Sequence, residues 1–387
     1  MTKTNSTHNC QTPVNVCFLI RQLNLGGAQR QLFELVKGLD KRRFSVTVVS
    51  FYDGGFFLNR LRALRGVNYV CLEKRGRWDS FSFFLRALKK FRGIRPDILY
   101  SFMGGANILS AFLRPFLGEA KIVWGLRCSN MDLTRYDFAA RAISIVESLL
   151  SRRPDLIIAN SWAGKNVAEK RGFPAGKTIV IPNGIDCDIF QPRREGGMAV
   201  RREWAVPENA IVLGFVGRPD PMKDPGNFLH AGAILHRRHK NLCLAMIGNS
   251  EDDSRTELVN LARSLGIDGI CVWSGSREDM ASVYSALDVL ISSSAFGEGF
   301  PNVVGEAMAC GTPCAATDVG DSARVLGEIG VSVPPKNPLA LADAVDKILS
   351  GLKGETDIRE RSRRRIVDKF SREKMVAKTT EILLNIL

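Results

Sequence analysis

A chain of 387 residues with 45% hydrophobic content exceeds what one core usually organises, so two domains of ordinary size are expected. A formal net charge of +14 calls for an acidic counterpart: an anionic membrane surface, a phosphorylated substrate or nucleic acid. Nine scattered cysteines, with no CxxC pair and no histidine placed to complete a zinc site, argue against a structural metal and read as free thiols of a reducing cytoplasm.

Residues 1–12 read as a polar tail. The first apolar run, VNVCFLI, stops at Arg21, too short for a membrane span and without a signal-peptide layout, and no later run reaches about 18 apolar residues. A cytoplasmic location is the expectation. Short apolar, β-rich runs then alternate with amphipathic stretches, giving strands at 14–20, 45–51, 68–72, 97–102, 121–126, 156–159 and 178–181. This is the pattern of βαβ units feeding a parallel sheet. The alternation breaks at IPNGIDCDIFQPRREGG, where Pro, Gly and Asp concentrate as in an interdomain linker. A second series follows, with strands at 211–216, 242–247, 269–273, 289–293 and 313–317. Two doubly wound α/β domains facing each other across a cleft account for both series.

After the first strand, LNLGGAQRQLFELVKGL puts Gly26 and Gly27 before a helix that starts near Ala28. These glycines permit a tight turn and close backbone approach to phosphate. The GxGxxG spacing is missing, which argues against a dinucleotide. Residues 79–96 mix Phe81, Phe84, Leu85, Leu88 and Phe91 with Arg86, Lys89, Lys90, Arg92 and Arg95. Such a helix can lie on an anionic membrane. Every helix of a doubly wound fold also needs an apolar face, and the balance favours a core-facing stripe with a wet basic side. SFMGGANILSAF begins at a strand's carboxyl end, so Met103, Gly104 and Asn107 are placed to line an acceptor pocket.

In the second half, GFVGRPDPMKD carries Gly217, Arg218 and Lys223 in a loop leading to a helix, where two cations can offset the charge of a diphosphate leaving group. FGEGFPNVVGEAMACGTP follows the strand ending near Ser293. Pro301 suits the first turn of a helix, so Gly299, Phe300, Pro301 and Asn302 lie where free N–H groups meet the positive end of the helix dipole. Glu298 precedes this helix and Glu306 lies inside it, a spacing that flanks one pocket rather than stacking on one face. A carboxylate accepts two hydrogen bonds from vicinal hydroxyls, which suits Glu306 to a ribose and Glu298 to a donor sugar.

In this order and setting the motifs resemble the retaining glycosyltransferases of family 4, which have the GT-B fold and whose hallmark E-x7-E is matched by Glu298 and Glu306. The resemblance runs over residues 14–375. It implies a Rossmann-like acceptor domain at 13–186, a Rossmann-like nucleotide-sugar donor domain at 187–370, and a last helix, 371–387, packing towards the first domain. It assigns catalysis to Arg218, Lys223 and Glu298. Donor binding falls to Gly26, Gly27, Gly217, Gly299, Phe300, Pro301, Asn302 and Glu306. Residues 246–248, the SGSRED turn with Arg277, and Asp288 resemble the segments enclosing the base. A hexosyltransferase of this kind uses a UDP- or GDP-sugar as substrate, with no metal or other cofactor. Its acceptor is a glycan or lipid-linked, as in bacterial surface polysaccharide or glycolipid synthesis, and peripheral contact with the inner membrane face fits that role.

Many members carry a histidine beyond the fifth strand, but here that region reads VWGLRCSNMD, and His8, His230, His236 and His239 all lie elsewhere. Arg127, Ser129 or Asn130 is therefore expected to orient donor or acceptor. Asp186, Cys187 and Asp188 form a DxD that a metal-dependent transferase would need, yet it falls in the linker. A nucleotide-sugar epimerase would share the fold and donor pocket. A nucleic-acid-binding protein would explain the charge, but the basic residues are dispersed and no nucleic-acid signature occurs, so no such partner is expected.

Overall fold

A computed structural model describes residues 12–76, 79–127, 129, 138–248, 252–352 and 357–387. In the first lobe β1 (Val14–Ile20), β2 (Phe44–Ser50), β3 (Val67–Cys71), β4 (Ile98–Phe102), β5 (Lys121–Leu126), β6 (Leu156–Ala159) and β7 (Thr178–Val180) form one parallel sheet in the order β3-β2-β1-β4-β5-β6-β7. In the second, β8 (Ile211–Val216), β9 (Leu242–Ile247), β10 (Cys271–Gly275), β11 (Val289–Ser292), β12 (Cys314–Thr317) and β13 (Val331–Val333) form another, also parallel, in the order β10-β9-β8-β11-β12-β13. The expected α/β architecture of two Rossmann-like lobes is the one found.

Central strands read as unbroken apolar runs because helices cover both faces of each sheet. Val16, Phe18 and Ile20 enter one core of the first lobe while Cys17 and Leu19 enter the other, the two-residue alternation of a strand buried on both sides. Two details differ from the expectation. β10 starts at Cys271 because residues Asp268–Ile270 are spent on a 3-10 turn, and the three-residue β13 was not anticipated.

The order reverses between β1 and β4 in one sheet and between β8 and β11 in the other. Helices diverge from such a switch point, leaving a crevice at the carboxyl ends of its strands. The chain also returns to the first lobe at its end. Ile185 donates to the carbonyl of Phe370 and Arg372 to that of Ile185, both at 2.8 Å, and the helix Arg372–Asn385 then lies along the helix Gly27–Gly38. Met375 and Leu383 thereby join the first lobe's core beside Leu32, Leu35 and Val36.

The basic helix Ser80–Ile94 turns Phe83, Ala87 and Phe91 inward at helical spacing. Phe81 and Leu85 stay outside, 76% and 48% exposed, on the same element as exposed Lys89, Lys90 and Arg92. Among the described residues no helix is long and apolar enough to cross a membrane.

Because Leu383 is fully buried in a core built mainly from the first lobe, far away in sequence, Leu383→Ala should cost about 2–5 kcal/mol. Urea denaturation followed by tryptophan fluorescence measures this; an unchanged midpoint would mean the terminal helix adds nothing to the first lobe.

Candidate active site

Two loops leaving the switch point of the second sheet are tied to each other. In the loop after β8, Asp220 Oδ1 accepts from the backbone of Met222 and Lys223, both at 3.1 Å, and Asp224, in the left-handed region, caps the helix Pro225–Arg238 by accepting from Asn227. In the loop after β11, Ser293 donates to the carbonyls of Lys223 and Asp224 at 3.0 and 2.9 Å, and Ala295 donates to that of Met222 at 2.8 Å. This junction brings the Lys223 ammonium onto Glu298, whose Oε1 also accepts from Ser294 at 2.7 Å. Gly217 borders the aliphatic stem of Lys223. Arg218 does not join the pair: its side chain is 81% exposed and stands 3.6 Å from Asp220.

The helix Asn302–Ala309 starts one residue later than the sequence suggests. Pro301 is its N-cap residue, and no side chain caps this end. The Phe300 ring turns into the core against Phe370, with centroids 5.4 Å apart, so its side chain offers the cleft nothing. Gly299 is a close-approach position, since a Cβ there would lie 2.6 Å from Asn160 Oδ1 of the other lobe. Glu306 is buried, and its two oxygens are held by different lobes. Tyr284 donates to Oε2 at 2.8 Å, and Arg30 pairs with Oε1. Burial, then the charge of Glu306, push the Tyr284 phenol well up, which keeps it a donor. Each carboxylate oxygen retains a lone pair for a further donor.

Arg30 comes from the helix Gly27–Gly38, whose inner face also carries Gln31, Glu34 and Lys37. Gln31 reads a linker peptide as a strand would: its Nε2 donates to the carbonyl of Gly184 at 3.0 Å and its Oε1 accepts from Gly184 N–H at 2.9 Å. Asn302 Oδ1 accepts from Asn183 at 2.9 Å and from Gln31 at 3.3 Å. Gly26 is extended (φ −178°), a conformation open to any residue, so the tight-turn reading fails there. The demand for glycine falls on Gly27, where a Cβ would lie 2.9 Å from Asn302 Nδ2.

The DxD carboxylates belong to an ion cluster at the linker. Asp186 accepts from Lys37 at 2.8 Å and pairs with Arg372, which also lies 3.3 Å from Asp188 and 3.7 Å from Glu34. Burial pushes Asp186 up, but its bonds to Lys37 and to Ile189 N–H, with the Arg372 charge, hold it below the usual range. Glu34 goes the other way. Burial, then the Asp186 charge, push it up to about 7, and its Oε2 has no hydrogen-bond partner.

In the first lobe Asn107, expected to face an acceptor, is buried in a structural network, accepting from Ser101 at 2.8 Å and donating to Glu147 at 2.8 Å, so it does not line a pocket. Its helix turns it inward because Ser101, Ser110 and Glu147 need partners away from water. Met103 does sit at the carboxyl end of β4, exposed and at φ 74°, a strained backbone for a side chain with a Cβ. Arg127 donates to Tyr100 OH at 2.9 Å, stacks 4.2 Å above Phe102 and lies 3.5 Å from Asn183 Oδ1, with no carboxylate partner among the described residues. Ser129 donates to the carbonyl of Glu298. Asn130 lies outside the described residues.

Two base-enclosing candidates fare differently. Arg277 follows β10 at the cleft edge, but its guanidinium is bound to Glu203 and Asp279 at 2.5–3.0 Å. Asp288 sits before the amino end of β11, held by Arg201, Arg359 and Val212 N–H, on the opposite edge from the cleft. It cannot enclose a base there.

Several cleft residues escaped the sequence reading. Arg30 stands inside the GGAQR string, and only its partner across the lobes identifies it. Asp321 accepts from Trp162 and Ala163 N–H at 2.9 and 3.0 Å, while Ser161 takes the N–H of Gly164 at 2.9 Å. Together they satisfy the amino end of the first-lobe helix Trp162–Lys170. No short motif announces such a clasp.

Paired glutamates, a lysine loop and helix-end amides thus meet at one switch point between two Rossmann-like lobes. Residues 25–189 match the family described as Glycosyltransferase Family 4 and residues 199–365 match Glycosyl transferases group 1, so each lobe is similar to a glycosyltransferase family. A D-inositol 3-phosphate glycosyltransferase of Corynebacterium kroppenstedtii is 33% identical over 216 residues, 53% of this chain and 48% of that protein. The match thus spans about half the length of such curated relatives. HepE of Anabaena, solved in complex with UDP, shares the fold with TM-score 0.84 at 21% identity, covering 96% of this chain and 100% of that one. WaaG, a glycosyltransferase involved in lipopolysaccharide biosynthesis, shares it with TM-score 0.70 at 15% identity, covering 95% and 99%.

The Glu34 shift has a definite sign. Between its ordinary value of 4.5 and about 7 the folded chain holds a proton that the unfolded chain has lost, so stability falls as pH rises through that window, by at most about 1.4 kcal/mol per unit. Asp186, depressed, acts only at more acidic pH. Denaturation midpoints from pH 4.5 to 8 should show this slope in the native chain and lose it in Glu34→Gln; identical slopes would place the proton elsewhere.

Proposed function

We propose that the protein transfers a hexosyl group from a UDP- or GDP-sugar to a glycan or lipid-linked acceptor with retention of anomeric configuration. The observation that carries this reading is the Lys223–Glu298 pair beside the uncapped amino end of the helix Asn302–Ala309. In the step we envisage, the bond from the anomeric carbon to the β-phosphate oxygen breaks while the acceptor oxygen bonds to that carbon on the same face. The departing phosphate oxygen takes the acceptor's proton. Negative charge growing on the diphosphate is met by Lys223 and by the helix-end amides. Arg218, 81% exposed and paired only with Asp220 at 3.6 Å, would turn inward onto the same diphosphate. Glu306 would bind ribose hydroxyls through its remaining lone pairs, and Glu298 a hydroxyl of the sugar.

UDP in the Anabaena neighbour supports a uridine donor. The inositol phosphate in the relatives' names is in keeping with a phosphorylated acceptor, which Arg127 would meet with a guanidinium that has no carboxylate partner among the described residues. The assay is turnover with UDP- and GDP-sugars. Lys223→Ala should lose at least about a hundredfold in kcat, roughly the loss of one charge-stabilising donor, and EDTA should leave native turnover unchanged. Near-native kinetics in the variant would refute the role of Lys223, and loss of activity in EDTA restored by a divalent ion would refute charge neutralisation by side chains alone.

The same reading sets Phe81 and Leu85, with Lys89, Lys90 and Arg92, against an anionic bilayer that presents the acceptor. Vesicles containing phosphatidylglycerol should sediment the native chain at low salt, and Phe81→Ser with Leu85→Ser should lower that binding severalfold. Equal binding to neutral vesicles would discard it.

A further inference from the structure

On the edge of the second lobe opposite the cleft, the helix Arg194–Glu203, the end of the helix Met280–Ala286 and the start of the helix Ile358–Phe370 enclose a hollow of about 1170 Å³. Six arginines line it. Three are engaged: Arg201 and Arg359 share Asp288, and Arg363 donates to the carbonyls of Phe190, Ala309 and Cys187. The other three, Arg193, Arg194 and Arg202, have no side-chain partner among the described residues.

The carboxylates present do not answer that charge. Asp288 is taken by two arginines. Asp357 caps its helix by accepting from Arg359 and Glu360 N–H at 3.0 Å, and Glu360 pairs with Arg364 at 2.6 Å. Of these lining carboxylates only Glu208 is without a partner among the described residues, against three guanidiniums in the same condition. Like charges held in one concavity repel, and a planar guanidinium fork matches phosphate oxygens two at a time.

Size and lining narrow the ligand. A lone phosphate is far smaller than this hollow, whose volume is that of a site for an organic molecule. Met198, half exposed, and Val206 supply an apolar wall. Met198 shares a helix face with Arg194 and Arg201, so charge and apolar surface are presented side by side. We propose that this hollow binds a soluble organic oligophosphate of nucleotide size, at a site separate from the donor cleft. Cys310 and Gly311 line it at the carboxyl end of the helix Asn302–Ala309, so roughly 12 Å of helix separates it from the amino end facing the cleft.

The test measures binding of ATP and of inorganic tripolyphosphate by calorimetry at fixed low salt. Three proteins are compared: the native chain, Lys223→Ala, and the triple variant Arg193→Ser, Arg194→Ser, Arg202→Ser. The expected result is ATP binding that survives Lys223→Ala and weakens about tenfold or more in the triple variant, with ATP bound more tightly than tripolyphosphate. Met198→Ser, which removes the apolar contact and leaves all six arginines and the charge unchanged, should weaken ATP more than tripolyphosphate, so the proposal stays testable if the triple variant misfolds. Equal binding by native and triple-variant proteins, or binding lost only in Lys223→Ala, would assign the phosphate to the cleft and overturn the site. Phosphatidylglycerol vesicles bound by the native chain and not by the triple variant, without ATP binding, would replace the soluble ligand with a lipid headgroup and overturn the proposal as stated.

Discussion

Among the described residues every paired strand runs parallel to its neighbours, and that single constraint decides where chemistry can occur. A parallel strand must be followed by a crossover, so the loops at the carboxyl ends lie together along one edge. Only where strand order reverses do adjacent loops diverge and leave room for a ligand. In the second sheet that place is the β8/β11 boundary, which is why the lysine loop and the glutamate loop share hydrogen bonds although they are some seventy residues apart. The β1/β4 boundary likewise puts the glycine loop and Met103 at neighbouring carboxyl ends in the first sheet.

The lobes meet through polar groups more than through a shared core. Gln31 holds the Gly184 peptide, Arg30 reaches Glu306, Asp321 satisfies a helix end of the other lobe, and Ser129 touches the Glu298 carbonyl. Contacts of this kind exchange with water at small net cost, unlike buried apolar area. The apolar connection is the returning helix Arg372–Asn385, anchored on the far side of the helix that carries Arg30 and Gln31. The ion cluster of Glu34, Lys37, Asp186 and Arg372 lies between these two connections, so the linker is pinned electrostatically where it crosses.

The positive charge of the chain is likewise spent locally. Many arginines are bound to carbonyls or carboxylates and do structural work, as Arg363 and Arg201 show. Among the described residues, places where positive charge has no carboxylate partner include Arg127, the outer face of the helix Ser80–Ile94, and the hollow on the far edge of the second lobe. The net figure alone could not tell these apart, because it sums paired and unpaired groups alike.

Period and composition were enough to read the two α/β lobes, because strands buried on both faces must be continuously apolar and the runs between them must be amphipathic. Strand bounds came out nearly unchanged for β1, β5, β6, β8 and β9. The glutamate and lysine motifs were legible as well, since loop, proline and helix-start residues act over a few positions. What lay beyond reach was anything set by the facing of two distant surfaces. Asn107 looked like a pocket residue until its helix was seen to turn it toward Glu147, and that the Phe300 ring packs on Phe370, leaving only its backbone at the helix start, was equally out of reach. Arg218 and Lys223 are equivalent cations in one loop by sequence, yet only Lys223 has a buried carboxylate aimed at it. Amino-acid order determines which groups exist and on which kind of element they ride. The packing of the lobes alone decides which of those groups meet, because side-chain contacts between lobes depend on orientations that no local pattern encodes.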